Sequence, residues 1–344
     1  MIIAPFLAAY ISSFQNDEEM PEVVGESNLF SVGYALPERK IEAFMVPSFI
    51  NYARERGIDF IPIDVSKPLT DQGPFDCIIH KLYGDEWDLN LKDFSDNNPN
   101  ATIIDHPSAI QRLHNRISML EPVSQLNIPQ LNIPNQILVR DSESLKNVET
   151  TKDLSFPVIA KSLIADGSPN AHTMSLVLNH EGLTKGLELE PPLILQQFVN
   201  HGGIIFKTYV ADDYVECVKR SSLPDISEET LEKMASESNG VMSFSKISGA
   251  VMACDDGWSN NNSDEKLKMP APEFLEEVAK GLRQALGLHL FNLDMIKDDK
   301  GDGFLVVDIN YFPGYEKLPS YETVMTDFFL NIKKSQEEKK MTTN

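Results

Sequence analysis

The sequence predicts an α/β protein that begins with a small parallel α/β lobe and continues in antiparallel sheets. Three observations support this prediction. Strands alternate with helices over residues 29–125, which is typical of βαβ units. From Pro134 onward, short strands follow one another in close succession, which indicates antiparallel pairing. Near Gly301, a turn rich in Asp and Gly joins two apolar runs, which predicts a hairpin.

The elements of the N-terminal lobe follow in order. Strands are expected over 29–35, 58–64, 77–82 and 103–105. One helix is predicted over 37–56 with Gly57 as its C-cap, and another over 108–125 with Pro107 near its start. Pro129 and Pro134 then interrupt the pattern and indicate a boundary between lobes.

The later segments are predicted from the same kinds of signal. Strands are expected over 136–139, 156–161, 174–178, 193–199, 204–210 and 214–219. Residues 236–269 are rich in Ser, Asn and Asp, so we expect a long mobile loop there. An amphipathic helix over 271–286 leads into the hairpin, and the last dozen residues are expected to fray.

Composition limits the class of protein. The chain has 344 residues, is 42% hydrophobic and carries a net charge of −22. Its length allows two or three compact lobes, and its charge argues against a nucleic-acid binder, which needs a basic face. Three cysteines without paired spacing provide neither a disulfide framework nor a zinc site, which favours a reducing, cytoplasmic location. The apolar opening segment lacks a basic region, so a flexible extension over 1–27 is expected rather than a signal peptide or a membrane span.

The predicted hairpin brings acidic side chains together. If its turn pivots about Gly301, Asp294 and Asp308 lie opposite each other, and Asn310 shares the face of Asp308 because side chains alternate along a strand. Buried like charges are unfavourable unless a cation lies between them, and hard oxygen ligands suit Mg²⁺. The alternative is a pair of exposed acids beside a turn, and the hairpin alone does not decide between the two.

Two lysines lie within apolar strands. Lys161 ends the run Phe156-Pro-Val-Ile-Ala, and Lys207 lies inside Ile204-Ile-Phe-Lys-Thr-Tyr-Val. A lysine in such a position is desolvated unless an anion meets it, although a lysine that snorkels from a sheet edge is the alternative. The sequence contains neither the phosphate-binding pattern Gly-x-x-x-x-Gly-Lys-Ser/Thr nor Gly-x-Gly-x-x-Gly after a strand. Phosphates would therefore have to be held by strand lysines.

Several sequence motifs resemble a known family. They include Val32-Gly-Tyr-Ala-Leu, Ile79-His-Lys-Leu-Tyr-Gly-Asp-Glu-Trp, Val199-Asn-His-Gly-Gly and Asp308-Ile-Asn-Tyr-Phe-Pro-Gly-Tyr. In this order they are similar to the inositol 1,3,4-trisphosphate 5/6-kinase family (inositol-tetrakisphosphate 1-kinase), closest to the plant type. The resemblance covers roughly residues 29–330. It implies the ATP-grasp fold, in which two antiparallel-sheet lobes clamp ATP.

The resemblance also implies a division of the chain. Residues 28–118 would be the lobe that binds the inositol phosphate, 119–194 the central lobe, 195–332 the C-terminal lobe with the metal site, and 333–344 a tail.

A role is implied for each matching residue. Those expected to contact ATP are Arg116, Lys161, Gln196, Gln197, Phe198, Lys207 and Ser222. Those expected to bind the inositol phosphate are Arg39, Lys81, His172, Lys207, Asn310 and Gly314. Those expected to hold Mg²⁺ are Asp294, Asp308 and Asn310. Lys207 and His172 would stand near the transferring phosphoryl group; His172 is a candidate general base, with phosphate binding as its favoured role.

The sequence departs from the family pattern at a few positions. The family usually has Lys where Arg39 stands, so the charge is kept and the adjacent Lys40 is a second candidate. The strand lysine is followed by Ser162 rather than Pro, and residues 168–171 differ from a more Lys/Ser-like stretch, which bears on the substrate preference around His172.

The reaction implied is transfer of the γ-phosphoryl group of ATP to a ring hydroxyl of an inositol polyphosphate. A monomer is expected because the sequence shows no interface signature. One rival is an ATP-grasp carboxylate–amine ligase, which needs fewer cations around its acceptor. Another is a non-catalytic inositol-phosphate sensor, which has no need of the metal residues.

Overall fold

The computed structural model of the protein describes residues 29–146, 154–168, 171, 173–244, 268–298, 301 and 303–343. The N-terminal extension predicted over 1–27 lies outside these residues. Within them the chain forms one parallel sheet and two sheets that are mostly antiparallel, which confirms the α/β class. No helix in these ranges is both long enough and apolar enough to cross a membrane.

The first sheet is parallel, with the strand order β2–β1–β3–β4. Its strands are β1 (Phe30–Ala35), β2 (Ile58–Pro62), β3 (Cys77–His80) and β4 (Thr102–Ile104), and the helices between them are α1 (Glu38–Phe44), α2 (Pro47–Arg54) and α3 (Asp85–Asn97). The single helix predicted over 37–56 is therefore two helices. Pro47 has no N–H to donate to the preceding turn, so it begins a new helix as its first residue.

The second predicted helix is also divided. It consists of α4 (Pro107–Gln111), a 3₁₀ turn over Arg112–His114, and α5 (Arg116–Gln125). Asn115 interrupts it because its backbone is extended and its side-chain oxygen accepts hydrogen bonds from the amides of Ile117 and Ser118, as an N-cap residue does. This break makes Arg116 the first residue of α5.

The central sheet is antiparallel, with the order β12–β8–β7–β9–β6. Its strands are β6 (Gln136–Val139), β7 (Val158–Ser162), β8 (Met174–Val177), β9 (Leu193–Gln197) and β12 (Val241–Ser243). The short helix α6 (Ser142–Lys146) follows β6. The antiparallel pairing predicted from closely spaced strands is confirmed.

The C-terminal sheet has the order β11–β10–β13–β14–β5. Its strands are β5 (Leu131–Asn132), β10 (Ile204–Ala211), β11 (Tyr214–Ser221), β13 (Leu290–Lys297) and β14 (Phe304–Tyr311), and the predicted helix before the hairpin is α8 (Pro272–Leu286). Only the pairing of β14 with β5 is parallel. The hairpin formed by β13 and β14 is therefore the middle of a sheet rather than its edge.

The strand pairing crosses the predicted lobe boundaries. β5 lies in the segment predicted as the central lobe but pairs with β14, and β12 lies in the segment predicted as the C-terminal lobe but pairs with β8. The predicted boundaries follow chain order, whereas β5 and β12 each belong to the sheet of the other predicted lobe. The division into three lobes stays a prediction.

The N-terminal and C-terminal lobes share one hydrophobic core. Phe44 and Phe49 from the helices of the first lobe pack in the same cluster as Phe291 and Phe312 of the C-terminal lobe. The rings of Phe44 and Phe312 meet edge to face, with centroids 5.1 Å apart. The central sheet has separate cores on its two faces. The first and last lobes, together with α5 and β5, thus form one packed body, and the central sheet packs in cores of its own.

One prediction of irregular structure is wrong, and a second is wrong in its first residues only. The last dozen residues, expected to fray, continue the helix α9 (Tyr321–Thr343). The buried side chain of Gln336 donates hydrogen bonds to the Asp76 carbonyl and the Thr102 hydroxyl, which fastens this helix to the first sheet.

Ser227 N-caps another helix, α7 (Glu228–Glu237), so the predicted loop over 236–269 begins with the end of a helix and with β12. Residues 245–267 of that loop lie outside the described residues.

Candidate active site

The hairpin pairs two acidic residues as the sequence predicts. Asp294 on β13 lies opposite Asp308 on β14. Nearer the turn, Met295 pairs with Val306, so β14 has one extra residue, Val307, between the two registers. This irregularity has the character of a β-bulge, which shifts the pairing by one residue. Without it Asp294 would face Val307, so the bulge is what aligns the two carboxylates.

The Asp294 carboxylate is surrounded by donors. Its Oδ1 accepts hydrogen bonds from Lys207 Nζ at 2.7 Å and from Asn292 Nδ2 at 3.0 Å. Burial raises the pKa of the Asp294 carboxyl against the opposing effect of Lys207, and the nearby charge of Asp308 raises it further. Lys207 and Asn292 thus do not fully offset the cost of burying the ionised carboxylate, and a further cation would stabilise it.

The oxygens at this point suit a hard cation. Asn310 Nδ2 donates to Asp308 Oδ2 at 2.9 Å, so these two side chains lie together at the end of β14. The described parts of the chain contain no cluster of three or more His, Cys, Asp or Glu side chains, so a metal here would need the amide oxygen of Asn310 beside the two carboxylates. Two carboxylates, one amide oxygen and water form a donor set that fits Mg²⁺.

Lys161 lies inside the protein, near the end of β7. Its side chain is buried, and Nζ donates to Oε1 of Gln196 on the neighbouring strand β9 at 2.7 Å. Burial lowers the pKa of this ammonium to about 8, an effect that Asp308 opposes and Arg116 adds to. The protein contacts of Lys161 only partly offset the desolvation of its ammonium, so an anionic ligand would stabilise the protonated, charged form.

Arg116 joins the central lobe to the carboxylate pair. Its guanidinium donates to the carbonyls of Ser162 and Ala171, and Nη1 lies 3.4 Å from Asp308 Oδ1. The backbone amide of Arg116 also donates to the Leu163 carbonyl. These bonds leave Arg116 little freedom, so it presents a fixed positive charge beside Asp308 and Lys161.

A cleft of about 280 Å³ lies between the central and C-terminal sheets. Of the predicted site residues it is lined by Arg116, Lys161, Gln196, Gln197, Phe198, Ser222, Asp294, Asp308 and Asn310. Its apolar walls come from both sheets and include Ile159, Met174, Ile205, Leu223 and Ile296. The cleft therefore combines an apolar slot, which a flat base would fill, with cations and carboxylates that suit phosphates and their metal.

The linker between the two sheets forms one edge of this cleft. The amide of Gln197 donates to the Asn135 carbonyl, and the amide of Phe198 donates to the Pro157 carbonyl. These two donors are already used within the chain. The backbone contacts predicted for an adenine edge would therefore fall to the carbonyl oxygens of the linker.

His201 is a cleft residue to which the sequence reasoning assigned no role. Its Nδ1 lies 2.7 Å from the Val199 carbonyl, which can only accept, so Nδ1 carries a proton. Nε2 lies 2.8 Å from the Ser222 hydroxyl, and the His201 amide donates to Asp225. His201 thus orients Ser222 at the cleft wall. The signal in the sequence is a histidine next to Gly-Gly shortly after a strand, within the motif Val199-Asn-His-Gly-Gly.

Other predicted substrate residues lie around the turn that follows β14. Lys81 Nζ donates to the carbonyls of Tyr311 and Phe312, and Gly314 lies in the same turn. Arg39 is exposed on α1 and is not among the residues that line the cleft, whereas its neighbour Lys40 reaches the Pro313 carbonyl. His172 lies outside the described residues.

Comparisons with known proteins agree with this geometry. The ATP-grasp domain of inositol 1,3,4-trisphosphate 5/6-kinase matches residues 127–331, and the pre-ATP-grasp domain of the same kinase matches residues 31–110. An ATP-grasp RimK domain protein from Sphaerobacter thermophilus has a similar fold, with a TM-score of 0.53 at 15% identity, over 87% of this chain and 99% of that one.

Two plant proteins are similar over nearly the whole chain. Inositol-tetrakisphosphate 1-kinase 5 of Oryza sativa subsp. japonica is 47% identical over 323 residues, which cover 91% of this chain and 92% of the relative. Inositol-tetrakisphosphate 1-kinase 1 of Arabidopsis thaliana is 47% identical over 311 residues, which cover 88% and 95%. With its ATP-grasp fold and both domains matched, this chain belongs to the inositol 1,3,4-trisphosphate 5/6-kinase family.

Proposed function

We propose that this chain is a Mg²⁺- and ATP-dependent kinase that transfers the γ-phosphoryl group of ATP to a ring hydroxyl of an inositol polyphosphate. Inositol 1,3,4-trisphosphate, phosphorylated at the 5 or 6 position, and inositol 3,4,5,6-tetrakisphosphate, phosphorylated at the 1 position, are the proposed acceptors. The names of the plant relatives and the family support this assignment. A monomeric, cytoplasmic enzyme is part of the same proposal.

The continuity of β14 is the observation that carries the proposal. Asp308 and Asn310 lie on this strand and line the cleft, and the next two carbonyls, of Tyr311 and Phe312, accept hydrogen bonds from Lys81 of the N-terminal lobe. One short segment thus links the carboxylates that suit a nucleotide's metal to a cation that suits an acceptor's phosphate. Phosphoryl transfer depends mainly on such alignment and on neutralisation of charge.

The roles on the nucleotide side follow from position and charge. Lys161 and the fixed guanidinium of Arg116 would bind phosphate oxygens of ATP, while Gln196 holds the Lys161 ammonium in place. The linker over Gln197 and Phe198 would contact the base. Each charge-assisted hydrogen bond to a phosphate contributes roughly 1.5–3 kcal/mol. Ser222, oriented by His201, would lie near the nucleotide.

Asp294, Asp308 and Asn310 would hold Mg²⁺. When bound, this cation neutralises charge on the phosphate oxygens of the nucleotide. Lys207 now donates to Asp294 at 2.7 Å, so its ammonium keeps that carboxylate oriented and supplies positive charge beside the reacting groups. Lys207 would thereby stabilise the negative charge that is spread over the transferring group.

The roles on the acceptor side are assigned to the predicted substrate-binding residues. Lys81, Arg39 and His172, with Asn310 and Gly314, would bind the phosphates of the inositol ring. Burial lowers the pKa of the Lys81 ammonium, and a phosphate would reverse this effect. Several cations around one acceptor favour a polyphosphate over the single carboxylate that a ligase activates.

The test is turnover with defined acceptors. The purified protein is incubated with Mg²⁺ and ATP against a panel of inositol tris-, tetrakis- and hexakisphosphates, and the products are separated by chromatography. A new, more highly phosphorylated inositol and one equivalent of ADP are expected. Asp308→Asn should reduce turnover by about 100-fold or more, because it removes one of the two carboxylates. Asp327→Asn, an exposed carboxylate on α9, is the matched control and should be fully active.

Three outcomes would count against the proposal. Tight binding of inositol phosphates without any turnover would indicate a sensor. ADP formation that depends on a carboxylate and an amine, and not on inositol phosphates, would indicate a ligase. Turnover that survives Asp308→Asn unchanged would remove the proposed metal site from the reaction.

A further inference from the structure

His201 lies at the wall of the nucleotide cleft and is almost fully buried. Its Nδ1 lies 2.7 Å from the Val199 carbonyl, and its Nε2 lies 2.8 Å from the Ser222 hydroxyl. The backbone around it is fixed, because the amides of His201 and Gly202 both donate to Asp225 Oδ1 at 2.8 Å. The ring is therefore held in one orientation, and each of its nitrogens has a defined partner.

The direction of the hydrogen bond to Ser222 follows from the partner of the other ring nitrogen. A carbonyl oxygen can only accept, so Nδ1 of His201 carries a proton. Both ring partners are uncharged, and burial disfavours a charged ring with such partners, so the imidazole is neutral. Nε2 of the neutral ring is an acceptor, and the Ser222 hydroxyl donates its only proton to it. Toward the cleft, the Ser222 oxygen can therefore only accept a hydrogen bond.

Ser222 lies far from the carboxylates that suit the metal. It follows β11, and its amide donates to the Gly203 carbonyl at 2.8 Å, which places it level with the residue before β10. Asp294 pairs with Lys207, four residues further along β10 than Gly203. At about 3.3 Å per residue, the two levels are about 13 Å apart along the strand. Ser222 is thus at the opposite end of the cleft from the proposed Mg²⁺ site and the transferring phosphoryl group.

The base end of ATP offers two kinds of hydrogen-bond donor, the 6-amino group of adenine and the hydroxyls of ribose. The carbonyl oxygens of the linker over Gln197 and Phe198 suit the amino group. The His201 ring comes next to this linker, with its centroid 6.1 Å from that of Phe198, and Ser222 lies beyond the ring. The ribose hydroxyls are therefore the donors that suit Ser222, whereas an ionised phosphate oxygen, which only accepts, does not.

We propose that His201 fixes the Ser222 hydroxyl as a hydrogen-bond acceptor, and that this acceptor selects ribose over deoxyribose in the nucleotide by binding one of its hydroxyls. His201 is then a positioning residue, and Ser222 is the residue that touches the sugar. This inference rests on the proposed use of ATP and adds a requirement for the sugar, which the apolar walls of the cleft would not impose.

The test compares ATP with 2′-deoxy-ATP and 3′-deoxy-ATP, which share its base and phosphates. For each nucleotide, kcat/KM is measured with Mg²⁺ and the acceptor that gives the fastest turnover, and Kd is measured by calorimetry with Mg²⁺ and no acceptor. The wild type should prefer ATP over one of the two analogues by about 3- to 10-fold in both measurements, the size expected for one net hydrogen bond. The analogue that is disfavoured identifies the hydroxyl that Ser222 binds.

The variants separate the acceptor from the residue that fixes it. Ser222→Ala should reduce the preference to less than about twofold, because the acceptor is lost. His201→Phe keeps a ring but has no nitrogen, so the Ser222 hydroxyl is free to rotate, and the preference should fall to a similar value. The double variant should behave like Ser222→Ala alone, because both changes remove one contact. A merely structural role for His201 would instead weaken the binding of ATP and of both analogues by the same factor.

His106→Phe is the matched control. It removes another hydrogen bond between a histidine and a serine, from His106 Nδ1 to Ser108 Oγ at 2.9 Å, on the exposed surface of the N-terminal lobe. The preference for ATP over the deoxy analogues should be unchanged in this variant.

Equal kcat/KM and Kd for ATP and both analogues in the wild type would overturn the inference, and so would an undiminished preference in Ser222→Ala. A preference that is lost in Ser222→Ala but kept in full in His201→Phe would overturn the role of His201. If His201→Phe does not fold by circular dichroism, His201→Leu, which also lacks an acceptor, decides in the same way. A wild type that binds ATP with the expected preference but phosphorylates no inositol phosphate would refute the proposed kinase activity and support this inference, so the two failures are distinguishable.

Discussion

Replacing Lys161 with Met should remove a pH dependence from the stability of the ligand-free protein. Lys161 is buried near the end of β7, and its protein partners do not fully offset desolvation. Its pKa is lowered from the ordinary value of 10.5 to about 8. An unfolded chain exposes the same ammonium to water, so the folded and unfolded states bind a proton at this group with different affinities.

The sign and size of the effect follow from proton linkage. Between about pH 8 and pH 10.5 the unfolded chain keeps a proton that the folded chain has released, so unfolding takes up a proton and the free energy of unfolding rises with pH. The penalty for burying the ammonium is fully present below about pH 8 and is gone above 10.5. At about 1.36 kcal/mol per pH unit, the difference between these two pKa values corresponds to about 3 kcal/mol.

The assay is urea unfolding of ligand-free protein, followed by far-ultraviolet circular dichroism at several values between about pH 7 and 10.5. The wild type should gain about 3 kcal/mol relative to Lys161→Met over this range. Lys185→Met, which removes an exposed ammonium from the same lobe, should follow the wild type. Parallel curves for the wild type and Lys161→Met would refute the reasoning, since they would show that Lys161 keeps its ordinary pKa when folded.

Three further outcomes are expected. ATP binding near pH 8.5 should take up protons, because phosphates raise the pKa of Lys161; calorimetric heats that are identical in buffers of different ionisation enthalpy would contradict this. Gly182→Ala should lower the free energy of unfolding by about 2 kcal/mol or more, measured in urea, because the new Cβ would lie 2.0 Å from the Gly240 carbonyl oxygen. The hydrogen bond to Asp105 raises the pKa of His289, so this pKa should be lower in Asp105→Asn than in the wild type when the His289 ring is titrated by NMR in both proteins. An unchanged pKa would argue against that contact.

The hairpin shows both the reach and the limit of sequence reasoning. Symmetry about Gly301 placed Asp294 opposite Asp308, and the pairing confirms it. The turn itself, however, is centred half a residue earlier, since Lys297 pairs with Phe304. The bulge at Val307 corrects the difference. It could not be predicted, because the run from Phe304 to Val307 is apolar throughout and so does not indicate which side chains face the core.

Arg39 and Lys40 illustrate a second limit. Both are cations on one helix, and the family resemblance assigns the role in substrate binding to Arg39, with Lys40 as a second candidate. Adjacent helical residues point about 100° apart, so at most one of them faces a given neighbour. The structure turns Lys40 toward Pro313 and leaves Arg39 exposed, which depends on how α1 packs against the distant turn. No local pattern contains that information.

The end of the chain differs from its predicted structure for a similar reason. Its charged residues are typical of a frayed terminus. What keeps the helix ordered is a long-range contact, in which Gln336 donates hydrogen bonds to Asp76 and Thr102 on the first sheet. One polar residue in a charged stretch does not indicate that it is buried, so tertiary contact overrode the local tendency.

Because β5 and β12 each pair with a strand of another predicted lobe, no lobe of this protein can be cut out as a self-contained unit. A fragment cut out at residues 134 and 200 would contain β6 to β9 but would lose β12, which leaves β8 with an open edge. Open edges pair with other chains, so such a fragment should aggregate. Removing the N-terminal lobe would expose the Phe44 face of Phe312 and would leave the carbonyls at the end of β14 without Lys81. Attempts to graft the nucleotide cleft onto another acceptor lobe would therefore have to carry over the turn after β14 and rebuild its ammonium partners.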